Sequence, residues 1–146
     1  MKKISIVTPC YNEAENVEEL CQRIRKTMES LDFEYEHIII DNASVDGTVN
    51  VLKSLASQDP RIKIIVNTRN FGPIRSPYYG LLQGSGDAVI IMASDLQDPP
   101  EIIPEFIKKW EENYKVVVGI KTRSEEFGLF YLLRTLYYRR SSEDWF

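Results

Sequence analysis

Five short apolar runs punctuate the chain: Ile4-Ser5-Ile6-Val7, Ile38-Ile39-Ile40, Ile62–Val66, Val89-Ile90-Ile91-Met92 and Val116-Val117-Val118. All are rich in β-branched residues and nearly continuous. Strands covered on both faces read this way, whereas a strand with one wet face alternates apolar and polar positions. After the first run, Val17, Leu20, Cys21, Ile24, Met28 and Leu31 recur at helical spacing, with Asn12 and Glu15 placed as a capping box. Val49, Leu52, Leu55 and Ala56 repeat the pattern behind Ser44 and Asp46, either of which can cap. A third helical stretch is expected over 77–84, weakened by Gly80 and Gly84. Ile102, Ile103, Phe106, Ile107 and Trp110 mark a fourth. Strand and helix in alternation predict a mostly parallel sheet with right-handed crossovers, sandwiched by helices. With no repeat, low-complexity tract or linker, the pattern reads as a single α/β domain.

Composition narrows the picture without redirecting it. A chain of 146 residues fits one domain with a substantial core. Its 43% hydrophobic and 27% charged residues are ordinary for a globular protein. A net charge of −4, with no finger, RNP or basic-repeat signature, argues against a nucleic-acid partner. Cys10 and Cys21 form no C-x-x-C and have no histidine pair nearby, so two reduced thiols are expected rather than zinc or a disulfide. The N-terminus has Lys2 and Lys3 but no long apolar stretch before Pro9, unlike a signal peptide. No run approaches the roughly 20 apolar residues of a membrane span. The expectation is a cytoplasmic chain.

The chemistry concentrates after the fourth run. Asp95-Leu96-Gln97-Asp98-Pro99-Pro100-Glu101 follows the apolar stretch Ala88-Val89-Ile90-Ile91-Met92-Ala93, and its prolines suit the start of a helix. Two carboxylates and an amide oxygen are thereby gathered at the carboxyl end of a strand, where open α/β sheets bind ligands. Hard oxygen donors there suit a divalent ion that bridges phosphates. A bare D-x-x-D is more often a loop or helix cap, and its context is what lifts this one. Thr8-Pro9-Cys10-Tyr11-Asn12-Glu13 after the first run contains no glycine, and no G-x-x-x-x-G-K-[ST] occurs. A dinucleotide fingerprint and a P-loop are thus both absent.

Further motifs recur in order: Asp41-Asn42-Ala43-Ser44-x-Asp46-Gly47-Thr48 after the second run, Arg69-Asn70-x-Gly72 after the third, and Gly86-Asp87 before the fourth. Together with Thr8-Pro9-x-Tyr11-Asn12-Glu13 and the Asp95 segment, the set resembles family 2 glycosyltransferases of the GT-A fold. The likeness is greatest to the branch that moves sugars from nucleotide donors to polyprenyl or dolichyl phosphate, and it covers roughly residues 3 to 140. It implies a Rossmann-like GT-A domain over 1–122, binding a nucleotide sugar, and an aromatic-rich C-terminal helix and tail over 123–146. It assigns Thr8, Pro9, Tyr11, Asn12, Glu13, Asp41, Asn42, Arg69, Asn70, Gly72 and Ser94 to the donor nucleotide. Tyr11 is suited to stacking on a base, and Asp41 to the ribose hydroxyls or the uracil imide. Arg69 suits phosphate oxygens or the base, with a solvated surface arginine as the plain alternative. Ser44, Asp46 and Thr48 are better explained as helix caps than as ligand contacts. Asp95 and Asp98 carry the catalytic assignment, and Asp95 with Gln97 the metal, Mg2+ or Mn2+. Many relatives have Asp-x-Asp here; its first aspartate falls at Ala93, so a weaker metal site is expected. Asn42 replaces a second aspartate that relatives often carry.

Residues 127–138 are apolar on nearly every side, with Arg134, Arg139 and Arg140 among the aromatics. The segment reads as packing against the sheet, as self-association into a homo-oligomer, or as an interfacial helix on an anionic membrane. The last implies peripheral attachment to the inner face of the cell membrane. In the family the acceptor-side region follows the strand at 116–118, so the chain reads as a truncated catalytic domain. The leading expectation is an inverting glycosyltransferase with a UDP-linked donor and a polyprenyl phosphate acceptor. The rivals are a non-catalytic nucleotide-sugar-binding fragment and a membrane- or partner-docking module acting through 127–140.

Overall fold

The computed structural model describes residues 1–120. Four strands, β1 (Lys3–Cys10), β2 (Glu34–Asp41), β3 (Ile62–Val66) and β4 (Ala88–Ile91), form one sheet in the order β3-β2-β1-β4. Every pair is parallel, with Ser5 opposite Glu36, Ile6 opposite Ile90 and Ile39 opposite Ile64. The crossovers carry helices α1 (Val17–Glu29), α2 (Thr48–Gln58) and α3 (Gly72–Leu81). After β4 a 3-10 turn, Pro100–Ile102, leads into α4 (Ile103–Glu111).

Side chains alternate across a strand, and the two faces are covered unequally. Ile4 and Ile6 of β1 pack with Leu20, Ile24 and Met28 of α1 and with Met92, Ile103 and Ile107. Ile39 joins Cys10, Val17, Cys21 and Leu52 in a second cluster on the same face. Among the described residues the opposite face carries only α3, whose Gly80 lies against Val7 and Ile40. The expected two-sided burial therefore holds for β1 and β2, while β4 alternates and β3 is only partly buried, with Val66, Val89 and Ile91 exposed. Among the described residues they are the edge strands, and α3 packs on β1 and β2 instead.

Two local expectations also change. Residues 116–118 form no strand, since 115–120 adopt no regular structure and Val116 and Val118 are exposed; β-branched composition alone does not make a strand where the segment is not packed and paired. The third helix begins at Gly72 rather than 77 and carries Pro77 inside it. Pro73 sits in its first turn, where a missing N–H costs nothing. Pro9 is tolerated in a central strand because β4 stops pairing with β1 at Val7–Ile91, two residues short of it. The aromatic segment 127–138, its arginines and the whole 123–146 tail lie outside the described residues.

Candidate active site at the carboxyl edge of the sheet

Because the strands are parallel, the segments that follow them emerge at one edge, where doubly wound sheets hold ligands. The first two are stitched together. The Asn12 N–H donates to Ser44 Oγ (2.8 Å), and the Val45 N–H donates back to Asn12 Oδ1 (2.9 Å). The Glu13 N–H donates to Thr48 Oγ1 (2.9 Å) and the Ala14 N–H to Asp46 Oδ2 (3.3 Å). Asn12 adopts a left-handed backbone, φ 57°, a conformation that asparagine tolerates better than most residues. Its side chain is thus committed to the neighbouring loop and does not cap α1. That helix starts behind Asn16 without a side-chain cap, so the expected capping box is not formed. Asp46 does serve α2, accepting the Thr48 N–H at 2.9 Å, while the Ser44 hydroxyl serves Asn12 instead.

Several residues assigned to the nucleotide stand behind the surface. Asp41 is fully buried and accepts the Ser44 N–H at 3.0 Å, with the Cys10 thiol 3.8 Å from its other oxygen. Burial, and then the Asp41 charge, push the Cys10 thiol far up, so it is inert. Thr8 is buried too, its hydroxyl 2.9 Å from His37 Nε2. Burial pushes His37 down to about 4, against the opposing pull of Asp59, so the ring is neutral at physiological pH. Ser94 is also buried.

Asn42 is 8% exposed, and its side chain has four partners. Oδ1 accepts from Asn67 Nδ2 (3.1 Å) and from the Phe71 N–H (2.9 Å). Nδ2 donates to Asn70 Oδ1 (2.9 Å) and, at longer range, to the Gly72 carbonyl (3.4 Å). Asn70 Oδ1 in turn accepts the Gly72 N–H at 2.8 Å, and Asn67 Nδ2 reaches Ser76 Oγ at 2.9 Å. Gly72 has φ +84° with open space where a Cβ would stand, so its conformation and not crowding calls for glycine.

What faces solvent at this edge is a smaller set. Tyr11 is 44% exposed, and Asn12 beside it is exposed as well. Glu13 is half-buried, with Oε2 accepting from Asn16 Nδ2 at 2.7 Å. Arg69 is exposed, and its guanidinium lies 4.8 Å from the centre of the Phe71 ring. After β4, the Met92 N–H continues the ladder to the Val7 carbonyl (3.0 Å) and leads into the acidic loop. Asp95 there is exposed, with Oδ1 accepting the Gln97 N–H at 3.1 Å; Leu96 between them has φ 58°. Gln97 is exposed and Asp98 half-buried. Arg23 of α1 grips Glu101 with two nitrogens at 2.9 and 2.6 Å, fixing the far end of the loop. This guanidinium holds the Glu101 carboxyl down to about 2.

Among the described residues no three acidic, histidine or cysteine side chains cluster as a metal cage. One exposed carboxylate with an amide beside it instead fits a hydrated Mg2+ or Mn2+ that takes its other ligands from substrate phosphates and water. Asn67, Ser76, His37 and Arg23 are the participants that the motifs did not reveal. Only the lone histidine ahead of an apolar run gave a sign of its place. Asn67 and Ser76 belong to no pattern that periodicity or spacing can detect.

A sequence model of the family described as glycosyl transferase family 2 matches residues 5–145. An undecaprenyl-phosphate 4-deoxy-4-formamido-L-arabinose transferase from Proteus mirabilis is 37% identical over 131 residues, covering 89% of this chain and 40% of that protein. A mannosyltransferase from Pyrobaculum calidifontis, solved with GDP-mannose and Mn2+, superposes with a TM-score of 0.63 at 24% identity, over 75% of this chain and 32% of that one. Residues 1–349 of TarS from S. aureus, solved with UDP-GlcNAc, give 0.60 at 20% identity, over 86% and 37%. The fold is that of the GT-A glycosyltransferases. The chain spans about 40% of the length of the curated relatives it matches.

Proposed function

The chain belongs to glycosyl transferase family 2, and from that membership and the strand-end geometry we propose that it is the donor-binding part of an inverting glycosyltransferase. The donor is a nucleotide-diphosphate sugar, UDP-linked, and the acceptor a polyprenyl phosphate, the acceptor class that the Proteus relative's name carries. One observation carries this reading. Tyr11, Arg69 and Asp95 face solvent on three loops of one sheet edge, while Thr8, Asp41, Asn42 and Ser94 behind them are buried.

Tyr11 offers an aromatic face to the base and a hydroxyl at its rim. Arg69, held against Phe71, suits the diphosphate, because a guanidinium pairs with phosphate oxygens in a fixed fork. Asp95 and Gln97 would hold the divalent ion, with Asp98 as the loop's second carboxylate. When bound, that ion supplies charge neutralisation to the leaving diphosphate, and Mn2+ accompanies GDP-mannose in the Pyrobaculum structure. A lipid phosphate has a second pKa of about 6, by analogy with phosphorylated side chains, and is ionised at neutral pH without a protein base. Attack opposite the leaving diphosphate inverts the sugar carbon. The inner face of the membrane, where such an acceptor lies, is the setting this reading implies. No helix among the described residues is long and apolar enough to cross a membrane.

Ala93, in place of the first aspartate of the Asp-x-Asp that the family resemblance leads one to expect, favours a second reading as a nucleotide-sugar-binding fragment without catalysis. Single-turnover experiments with radiolabelled UDP-sugar, Mn2+ and a short-chain polyprenyl phosphate in detergent separate the two. Slow, metal-dependent release of UDP or transfer of sugar supports the enzyme. Saturable donor binding with no turnover above background supports the fragment. Failure to bind any nucleotide sugar overturns both.

A further inference from the structure

We infer that Asn42 is a positioning residue whose side-chain amide clamps the 67–72 loop and so sets where Arg69 stands. This role in donor binding rests on the function proposed above, whereas the clamp itself does not. The amide has two acceptor sites and two hydrogens. Asn67 and Phe71 occupy the oxygen, and Asn70 and Gly72 take the hydrogens. A ligand could bond this side chain only by displacing a partner.

The orientation of the amide follows from backbone atoms that cannot be interchanged. The Phe71 N–H must face an oxygen, which fixes Asn42 Oδ1. The Gly72 N–H likewise fixes Asn70 Oδ1, so the group that Asn42 turns towards Asn70 must be its NH2. The clamp therefore needs an amide at position 42. An aspartate would keep the shape and the two accepted bonds. It would also set carboxylate oxygen against the Asn70 oxygen and the Gly72 carbonyl.

The bonds bracket Arg69. Asn67 lies on one side of it and Asn70, Phe71 and Gly72 on the other, and all four are tied to the one side chain. Asn42 is itself anchored, with its N–H on the Cys10 carbonyl at 2.9 Å, while the Asn67 N–H reaches the Asp41 carbonyl at 2.9 Å. The guanidinium thus projects from a loop fastened to the end of β2, which Asn42 in turn ties to the end of β1. Stacking on Phe71 limits its remaining freedom.

Two measurements on the full chain test this. Native-state trypsin cleavage between Arg69 and Asn70, followed by mass spectrometry, reports loop opening without any ligand. Asn42→Ala and Asn42→Asp should each speed that cut by about tenfold or more, the scale set by losing bonds that hold the loop closed. UDP titrations in Mn2+ then compare Asn42→Ala, Arg69→Ala and the double variant. If Asn42 acts through Arg69, the double variant binds no more weakly than Arg69→Ala alone. Unchanged cleavage in both Asn42 variants overturns the clamp. Faster cleavage with losses that multiply in the double variant overturns action through Arg69, because a merely structural contribution adds independently. If the parent chain binds no nucleotide, the proposed function fails and the donor role with it, while the cleavage rates still decide the clamp.

Discussion

Gly80→Ala sets two effects of known sign against each other. A Cβ at position 80 would lie 2.9 Å from Val7 Cγ1 and 3.0 Å from Ile40 Cγ2, closer than carbon atoms pack without movement. Val7 and Ile40 are fully buried on the two central strands, so neither can swing aside. Crowding of this kind costs about 1–3 kcal/mol. Alanine in place of glycine inside a helix returns about 0.8–1 kcal/mol. The net expectation is a loss of about 1 kcal/mol, which for a chain of this size lowers Tm by about 2–4 °C. Gly80→Val adds two more methyl groups to the same contact and gives up most of the helical gain. It should fall further, by about 6 °C or more at the upper end of the crowding cost. Thermal unfolding at pH 7, followed by far-UV circular dichroism, reads both. A Tm for Gly80→Ala at or above the parent, with Gly80→Val no lower, would show that α3 does not press on the sheet at this point.

Other expectations follow from separate parts of the molecule. Glu36 is buried beside β3, and burial alone would raise its carboxyl; hydrogen bonds from Lys63, Ser5 and Ser85 outweigh that and hold it well below 4.5. A depressed carboxyl stabilises the fold above its unfolded value and loses that contribution as pH falls through the folded one. Tm of the parent should therefore drop more steeply below pH 4.5 than Tm of Glu36→Gln, and parallel curves would remove Glu36 from the account. Tyr11→Ala should weaken UDP by about tenfold, the loss of one stacking contact of about 1–1.5 kcal/mol, and leave inorganic diphosphate unchanged. Equal losses for both ligands in a titration would move Tyr11 away from the base. NAD should not compete with UDP, because the loop after β1 lacks a glycine fingerprint; competition at micromolar NAD would contradict that.

The alternation of apolar runs and helical stripes made the parallel sheet and its crossovers legible, because burial on a two-layered sheet leaves a period that the chain must carry. Its failures share a cause. Val116-Val117-Val118 has strand composition but pairs with no strand among the described residues, and pairing is a property of two segments. Gly80 weakened the expected helix on propensity, although its missing side chain is what lets α3 sit on Val7 and Ile40. At the site, the motifs fall on loops that share one edge of the sheet, and they left each side chain's task open. Asp41 and Asn42 read as ligand contacts because a carboxylate and an amide at a strand end suit a nucleotide. The turn that follows them uses the same groups, and only coordinates show that Ser44, Asn67 and Phe71 take them first. Asp95, Gln97 and Arg69 remain at the surface.

In the function proposed above, a divalent ion held by Asp95 joins this sheet edge to a nucleotide diphosphate. The most direct test is the Tm shift caused by UDP, measured with Mn2+, with a chelator, and again in Asp95→Asn. At a hundred times Kd, a ligand selective for the folded state adds about 2.7 kcal/mol, which corresponds to about 5–10 °C here. The expected result is a shift of that order for the parent with Mn2+ and little or none with chelator. Asp95→Asn should lose most of the shift while keeping the parent Tm without ligand, since among the described residues the exposed carboxylate bonds only the nearby Gln97 N–H. Equal stabilisation by UDP with and without the metal, or an undiminished shift in Asp95→Asn, would contradict it.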